Sequence, residues 1–460
     1  MSSFYKRKEG KEQPYWPAGP FKIRLPFVHY RFETAECIQA IVLSVVTISM
    51  IPLLQQHLGV PYDVAMAFII VCGIGNMMGA LLGTPFIPGW ITPAIPLVVL
   101  FLGDFEPGPE AIQAMFALQF LVFLIFFLLG ITGLGSKMVD IVPNSLKAGI
   151  VIGAGLAALI GEIQPGGRLM ETPVSIIIGT LVAFYVMFSD PFKRIRQNNR
   201  VARVISNYGM VPGILIAIFI GLAVSEYPMP NIEWGIISPA FGEMWAYLPF
   251  SVGMPGFDVF VLAIPTALIA YIIAYGDIIV GDTLIERTDQ MRKDETIDNN
   301  LNRVHLITGL RNLLHALFAP YPGLAGPIWT AATATVIERY TFGRKAMDSI
   351  FSGTGTFHIA NFLALFLLPL ASFFQPVLPI ALSLSLLVTG YVCVQVGMEQ
   401  IRTPAEQGVA GVTAVVLAIH GAAYGLVAGI VMYLLIEKVF TRKQQRKNTP
   451  YKEEAHQKAL

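Results

Sequence analysis

The chain has 460 residues, 55% of them hydrophobic and only 13% charged, with a formal net charge of +1 and a mean hydropathy of +0.63. Soluble domains carry about 25% charged residues, so the composition excludes an ordinary soluble globular protein, and a balanced charge gives no reason to expect nucleic acid as a partner. Cys37, Cys72 and Cys393 sit in or beside apolar segments without a CxxC pair and read as small buried hydrophobes.

Residues 1–33 form a polar, mixed tail without the short apolar core of a cleaved signal. Within it FKIRLPFVHYRF (21–32) alternates basic and apolar residues, which suits an amphipathic helix on the membrane surface. Apolar runs then recur at Ile38–Gln56, Phe116–Gly130, Val174–Phe188, Ile214–Val224, Val259–Val280 and Phe362–Phe374. Each is near the length that crosses about 30 Å of hydrocarbon as a helix, which predicts a polytopic helical membrane protein. Polar residues dot the first two spans, Gln39, Ser44, Thr47 and Ser49 in one and Asn76 in the other. Most such residues bond between helices; Gln39 is kept as a candidate substrate contact.

GTPFIPGWITPAIP (83–96) breaks this pattern with four prolines and two glycines. Proline removes a backbone donor, and an unpaired backbone group in lipid costs several kcal/mol, so irregular backbone survives only where protein or a wet cavity surrounds it. APYPGLAGPIWTAATATVIERY (319–340), about half the chain further on, has the same texture, with a short helix expected to start near Pro327. Two interrupted segments at corresponding points of two halves point to a transporter binding site. The free N–H groups of two facing half-helices suit an anion or the carbonyl oxygens of a planar solute.

Between these breaks, LIAYIIAYGDIIVGDTLIER (268–287) places Ala270, Ala274, Asp277 and Gly281 on one helical face. That face is small apart from its acid, so another backbone can approach it. An acid in mid-membrane is functional by default, and Asp277 can exchange a proton or hold Na⁺ with carbonyl oxygens. Asp282 lies round the helix, either part of the site or of a solvated rim, and Glu286 belongs to the rim. His315 and His420 read as packed helix residues, without metal-ligand spacing. SGTGTFH (352–358) lacks the lysine of a phosphate-binding loop and reads as a turn between spans. No resident cofactor and no enzyme chemistry are indicated; H⁺ or Na⁺ would serve as coupling ion.

Charge sets the expected orientation. Lys6, Arg7, Lys8 and Lys11, the run TRKQQRK (441–447) and the loops at 193–203, 286–295 and 338–345 are basic or charge-rich, whereas Arg168 is the one basic residue in the loops assigned outside. Both termini are therefore expected in the cytoplasm of an inner-membrane protein, with an even number of crossings. Alternating loops with apolar stretches gives about fourteen segments, seven plus seven as inverted repeats.

Four passages together resemble the uracil permease fold shared by nucleobase–ascorbate transporters, adenine/guanine permeases and sulfate permeases. GTPFIPGWITPAIP looks like the family's strand-then-half-helix third segment. IVPNSLKAGIVIGAGLAALIGE (141–162) is similar to the fifth, LNRVHLITGLRNLLHALFAPYPGLAG (301–326) to the ninth running into the tenth, and QPVLPIALSLSLLVTGYVCVQVGMEQI (375–401) to the twelfth. The resemblance covers roughly residues 35–440. It implies a core domain of 34–140 and 257–375, a gate domain of 141–256 and 376–440, a cytoplasmic tail of 441–460, elevator-like movement of core against gate, and a homodimer. It places Asp277 near the family's eighth-segment acid, Phe86 near the aromatic of the first strand, and Ile328, Trp329 and Thr330 at the tenth-helix start. Nucleobase permeases usually carry a glutamate at that start; GPIWTAATAT has none.

The expectation is thus a secondary transporter, an H⁺- or Na⁺-coupled symporter of a small polar solute with a nucleobase-like compound slightly favoured. Gln39, Phe86, Thr92, Asp277, Ile328, Trp329 and Thr330 are expected at the substrate, and Asp277, Gly281, Asp282 and Thr333 at the coupling ion. The alternative within the class is a small-anion or carboxylate symporter of sulfate-permease type; outside it, a channel.

Overall fold

A computed structural model describes residues 4–135, 142–206 and 208–438. The basic run at 441–447 and the expected boundary at 140/141 lie outside these residues. A small hairpin, β1 (Trp16–Ala18) and β2 (Phe21–Ile23), precedes the helices. Then follow α1 (Thr34–Ile48), α2 (Ile51–Leu58), α3 (Tyr62–Leu82), β3 (Gly89–Trp90), α4 (Ile95–Leu102) and α5 (Pro109–Thr132). After them come α6 (Asn144–Ile163), α7 (Pro173–Phe188), α8 (Asp190–Asn198), α9 (Arg200–Ser206) and α10 (Val211–Ala223). The second half contains α11 (Phe257–Met291), α12 (Leu301–Phe318), β4 (Ala325–Gly326), α13 (Thr330–Tyr340), α14 (Ile350–Ala364) and α15 (Leu368–Phe374). It closes with α16 (Leu378–Gln400), α17 (Pro404–His420) and α18 (Ala422–Met432). Among the described residues six spans are long and apolar enough to cross a membrane, or eight if two bent helix pairs are each counted as one.

The helices gather into two groups. One holds α1, α3, α5, α11, α12, α13 and α14; the other holds α6, α7, α10, α16, α17 and α18. α2 and α4 run along the seam, α2 against α3 and α16, α4 against α6 and α11. Small residues make the second group dense. A Cβ on Gly155 of α6 would stand 2.7 Å from the Gly390 carbonyl oxygen of α16, and one on Gly153 would stand 2.9 Å from that of Ala414 in α17. Lipid supplies no hydrophobic drive between helices, so backbone-to-backbone approach of this kind is what holds them.

Two sequence expectations are corrected here. Residues 21–32 form β2 and turns, with no amphipathic helix: Gly19 at φ 60° lets the chain reverse, and Arg24 is buried with its guanidinium 3.7 Å over the Phe351 ring. SGTGTFH is not a turn but the interior of α14, whose N-terminus is capped reciprocally by Ser349 and Ser352. Its glycines allow packing that the sequence alone does not announce: Gly353 faces Met347 and Val336, and Gly355 faces the Tyr30 hydroxyl.

The N-terminal segment straps the loops at one end of the first group. Arg7 donates to Gln13 Oε1 at 3.0 Å, to Asp294 Oδ2 at 2.9 Å and to the Asp348 carbonyl at 2.5 Å. Lys22 pairs with Glu12 at 2.7 Å and with Asp298 at 2.6 Å, and Arg24 pairs with Glu12 at 2.5 Å. Glu33 accepts from Ser352 Oγ at 2.8 Å and from the Asp348 N–H at 2.9 Å. Arg292 and Arg7 hold the Asp294 carboxyl well below the usual carboxylate range. Arg7 is 4% exposed, and removing one partner of a buried pair costs about 3–5 kcal/mol. Arg7→Ala is therefore expected to free the tail, read as faster tryptic cleavage after Lys8 and Lys11 in the native protein; an unchanged cleavage rate would contradict the strap.

Candidate functional site

The two proline-rich breaks meet. β3 and β4 pair antiparallel, with Gly89 opposite Gly326 and Trp90 opposite Ala325. Both glycines are required by contact: a Cβ on Gly326 would run into the Trp90 carbonyl, and one on Gly89 would lie 2.9 Å from Trp329 Cβ. The Trp329 N–H donates to the Ile87 carbonyl at 2.6 Å, and the Ile91 N–H is shared between the carbonyls of Gly323 and Leu324. Each strand runs into a helix start. Thr92–Ala94 forms a 3₁₀ turn ahead of α4, and α13 begins at Thr330, three residues later than the expected Pro327. Pro93 and Pro96 fall in opening turns, where a missing N–H leaves no bond unmade.

A guanidinium fixes this crossing. Arg311 of α12 is fully buried; it donates to the Gly326 carbonyl at 2.5 Å, to the Gly89 carbonyl at 2.9 Å and to Asn76 Oδ1 of α3. The next residue, Asn312, donates to the Ala325 carbonyl at 2.9 Å and accepts from the Ala325 N–H at 3.0 Å. Two adjacent side chains of α12 thus satisfy backbone groups that neither strand could pair alone at that depth.

In front of the crossing lies a cavity of about 240 Å³. Thr92, Ile328, Trp329 and Thr330 from the two helix starts line it, as does Asp277 of α11. Ser385 and Thr389 of α16 form the opposite wall, with Met187 and Met210 at one end. Among the described residues no hydrogen bond or ion pair holds the Asp277 carboxylate, which remains partly open to the cavity. The volume is below the range of about 300–1,000 Å³ typical of drug-sized ligands, so it fits a compact solute. Two further cavities adjoin it. One of about 370 Å³ shares Ile95 and Leu386 with it; another of about 640 Å³, between α7–α9 and α13, shares Met187. All three lie along the seam of the two helix groups.

Five of the expected site residues therefore converge: Thr92, Asp277, Ile328, Trp329 and Thr330. The others lie elsewhere. Gln39 donates to Thr335 Oγ1 at 2.6 Å and ties α1 to α13. Phe86 is fully buried and packs on Gly281, whose added Cβ would meet the Phe86 ring and Ile328 Cδ1 at 3.3 Å. Asp282 accepts from Asn299 Nδ2 at 2.7 Å. The Thr333 hydroxyl accepts from the Ile87 N–H at 3.1 Å, so it anchors the strand rather than facing the cavity. His315 is fully buried against Gly75, His420 is exposed, and no metal-holding cluster occurs among the described residues. Arg311, Ser385 and Thr389 escaped the sequence reading. An arginine within a segment expected at membrane depth was the available signal for the first; two hydroxyls in a span carry none.

The sequence model of the permease family that covers xanthine and uracil permeases matches residues 35–326. The chain belongs to this permease family. The permease is thus a membrane transporter rather than an enzyme. It is similar to the guanine/hypoxanthine permease PbuG of Bacillus subtilis (strain 168), 29% identical over 148 residues, which are 31% of this chain and 33% of that one. The match thus spans about a third of the relative's length. In fold the permease is similar to the transmembrane domain of a cyanobacterium bicarbonate transporter, BicA, with TM-score 0.52 and 15% identity over 86% of this chain and 96% of that one. It is also similar to the murine anion transporter Slc26a9 in its inward-facing state, with TM-score 0.52 and 13% identity over 89% of this chain and 69% of that one.

Proposed function

We propose that the permease is a secondary transporter that carries a compact planar solute of the nucleobase class together with H⁺ or Na⁺. The observation that carries this reading is the central cavity, where two half-helix starts and an unpaired Asp277 face the same space. The helix starts offer N–H groups and the hydroxyls of Thr92 and Thr330 to carbonyl oxygens. An ionised carboxylate in low dielectric without a partner is costly, and a proton or cation offsets that cost. Solute and ion therefore occupy one small space, which couples them.

The chain of three cavities supports alternating access. The first helix group acts as core and the second as gate, and fourteen segments in two inverted halves would bring β3–α4 and β4–α13 into their mirrored positions. Ile95 and Leu386 close the central cavity on one side, and Met187 borders the larger cavity on the other. By the bias of basic residues, the side bearing α8, α9 and the N-terminal strap is cytoplasmic. The protein would then be inward-facing in the inner membrane, with both termini inside and the gate available for a homodimer contact.

A second reading is a small-anion symporter. It is favoured by the absence of an acid at the start of α13 and by the buried positive charge of Arg311 behind the cavity. A thermal-shift series separates the two, because a ligand that binds only the native state raises apparent stability. Purified protein is expected to gain stability with hypoxanthine or uracil, saturably, and not with bicarbonate, sulfate or acetate. Stabilisation by the anions alone would replace the nucleobase reading with the anion one.

A further inference from the structure

The cavity of about 370 Å³ has a chemistry of its own. Its polar side chains are Gln56 and His57 at the end of α2, Glu162 and Gln164 at the end of α6, and Arg168 and Glu171 beyond it. Arg168 is the single basic residue in the loops assigned to that face by sequence, and here it finds its place. It donates through Nη1 to Glu162 Oε1 and through Nη2 to Gln56 Oε1 at 3.3 Å, joining the two helix groups across the seam. Glu162 is 1% exposed, and its other oxygen, Oε2, accepts nothing among the described residues. A buried acceptor without a donor is unfavourable and is relieved by a ligand that brings one. Two bonds occupy two of the five N–H donors of a guanidinium. The pair therefore sets an unfilled acceptor beside spare donors, in the wall of a cavity separated from the central one by Ile95 and Leu386.

We propose that this outer cavity is a second binding station on the solute's route, one that recognises an –NH–C(=O)– edge. The solute N–H donates to Glu162 Oε2, and its carbonyl accepts from Arg168. Oxopurines and pyrimidinones carry that edge. Carboxylates and inorganic anions bring acceptors only and meet Glu162 with like charge, so the station filters solutes before the central site does. Gln56 lies on the seam helix α2, which packs mainly on α3 and α5 of the first group, whereas Glu162 and Arg168 belong to the second, so opening the seam releases the solute from the station. The inference rests on the nucleobase reading above.

Equilibrium binding of radiolabelled hypoxanthine to the full chain in nanodiscs tests it. Wild-type protein is expected to bind two equivalents. Glu162→Gln and Arg168→Gln each weaken the outer equivalent at least tenfold and leave the other, whereas Asp277→Asn affects the central one. Arg168 is partly exposed in a surface turn, so its variant keeps the test open even where Glu162→Gln fails to fold. One equivalent in wild type, untouched by either outer substitution, would overturn the station and leave the nucleobase reading standing. Absence of hypoxanthine binding at both sites would overturn that reading, and the station with it.

Discussion

Asp277→Asn is expected to abolish gradient-driven accumulation of solute while the protein stays folded and inserted. The substitution keeps the side-chain volume and removes only the ionisable oxygen. Among the described residues no donor is bonded to that carboxylate, so none is orphaned by the change. With coupling gone, uptake into proteoliposomes under an imposed proton or sodium gradient falls at least tenfold, which is about 1.4 kcal/mol of lost driving interaction. The thermal midpoint should hold or rise, because a costly buried charge has been removed. Accumulation that keeps its original dependence on pH and sodium would show that the coupling ion binds elsewhere.

Arg311→Met is expected to be more damaging and of a different kind. It leaves the carbonyls of Gly89 and Gly326 and the Asn76 amide oxygen without their donor, at about 1–3 kcal/mol for each unsatisfied buried group. The crossing of β3 and β4 loosens, and both helix starts lose their common position. Transport should be lost together with several degrees of thermal midpoint. Arg311→Lys keeps the charge but offers a point donor instead of a planar fork, and it should fail nearly as badly. Near-normal transport in the lysine variant would mean that charge, not the clamp, is what this position supplies.

The features of the site legible in the sequence were those that violate the rules of a membrane span. Proline-rich breaks at 83–96 and 319–329 and an acid at 277 stand out because lipid forbids them without compensation. The structure shows that the breaks pair with one another. The partners that compensate were harder to see. Arg311 lies in a segment whose polar and apolar residues are mixed all round, so periodicity did not mark its inward face. Gln39 and Thr333 have the right chemistry for a ligand contact, yet each spends its hydrogen bond within the protein, on Thr335 and on the Ile87 N–H. Which polar group faces a cavity depends on helix rotation, and a single sequence fixes that poorly where all faces are apolar. The N-terminal strap failed for another reason: alternating basic and apolar residues fit a surface helix and a hairpin equally well, and tertiary ion pairs decided between them.

The strap also determines what the N-terminus can report. Residues 7–33 are bolted through Arg7, Lys22, Arg24 and Glu33 to the loop between α11 and α12 and to the first turn of α14. The tail is thus a handle on one body rather than a free tether. Under the alternating access proposed above, a probe attached at Phe4, four-fifths exposed, would travel with that body, and its distance to a second probe on α9 would measure the proposed movement directly.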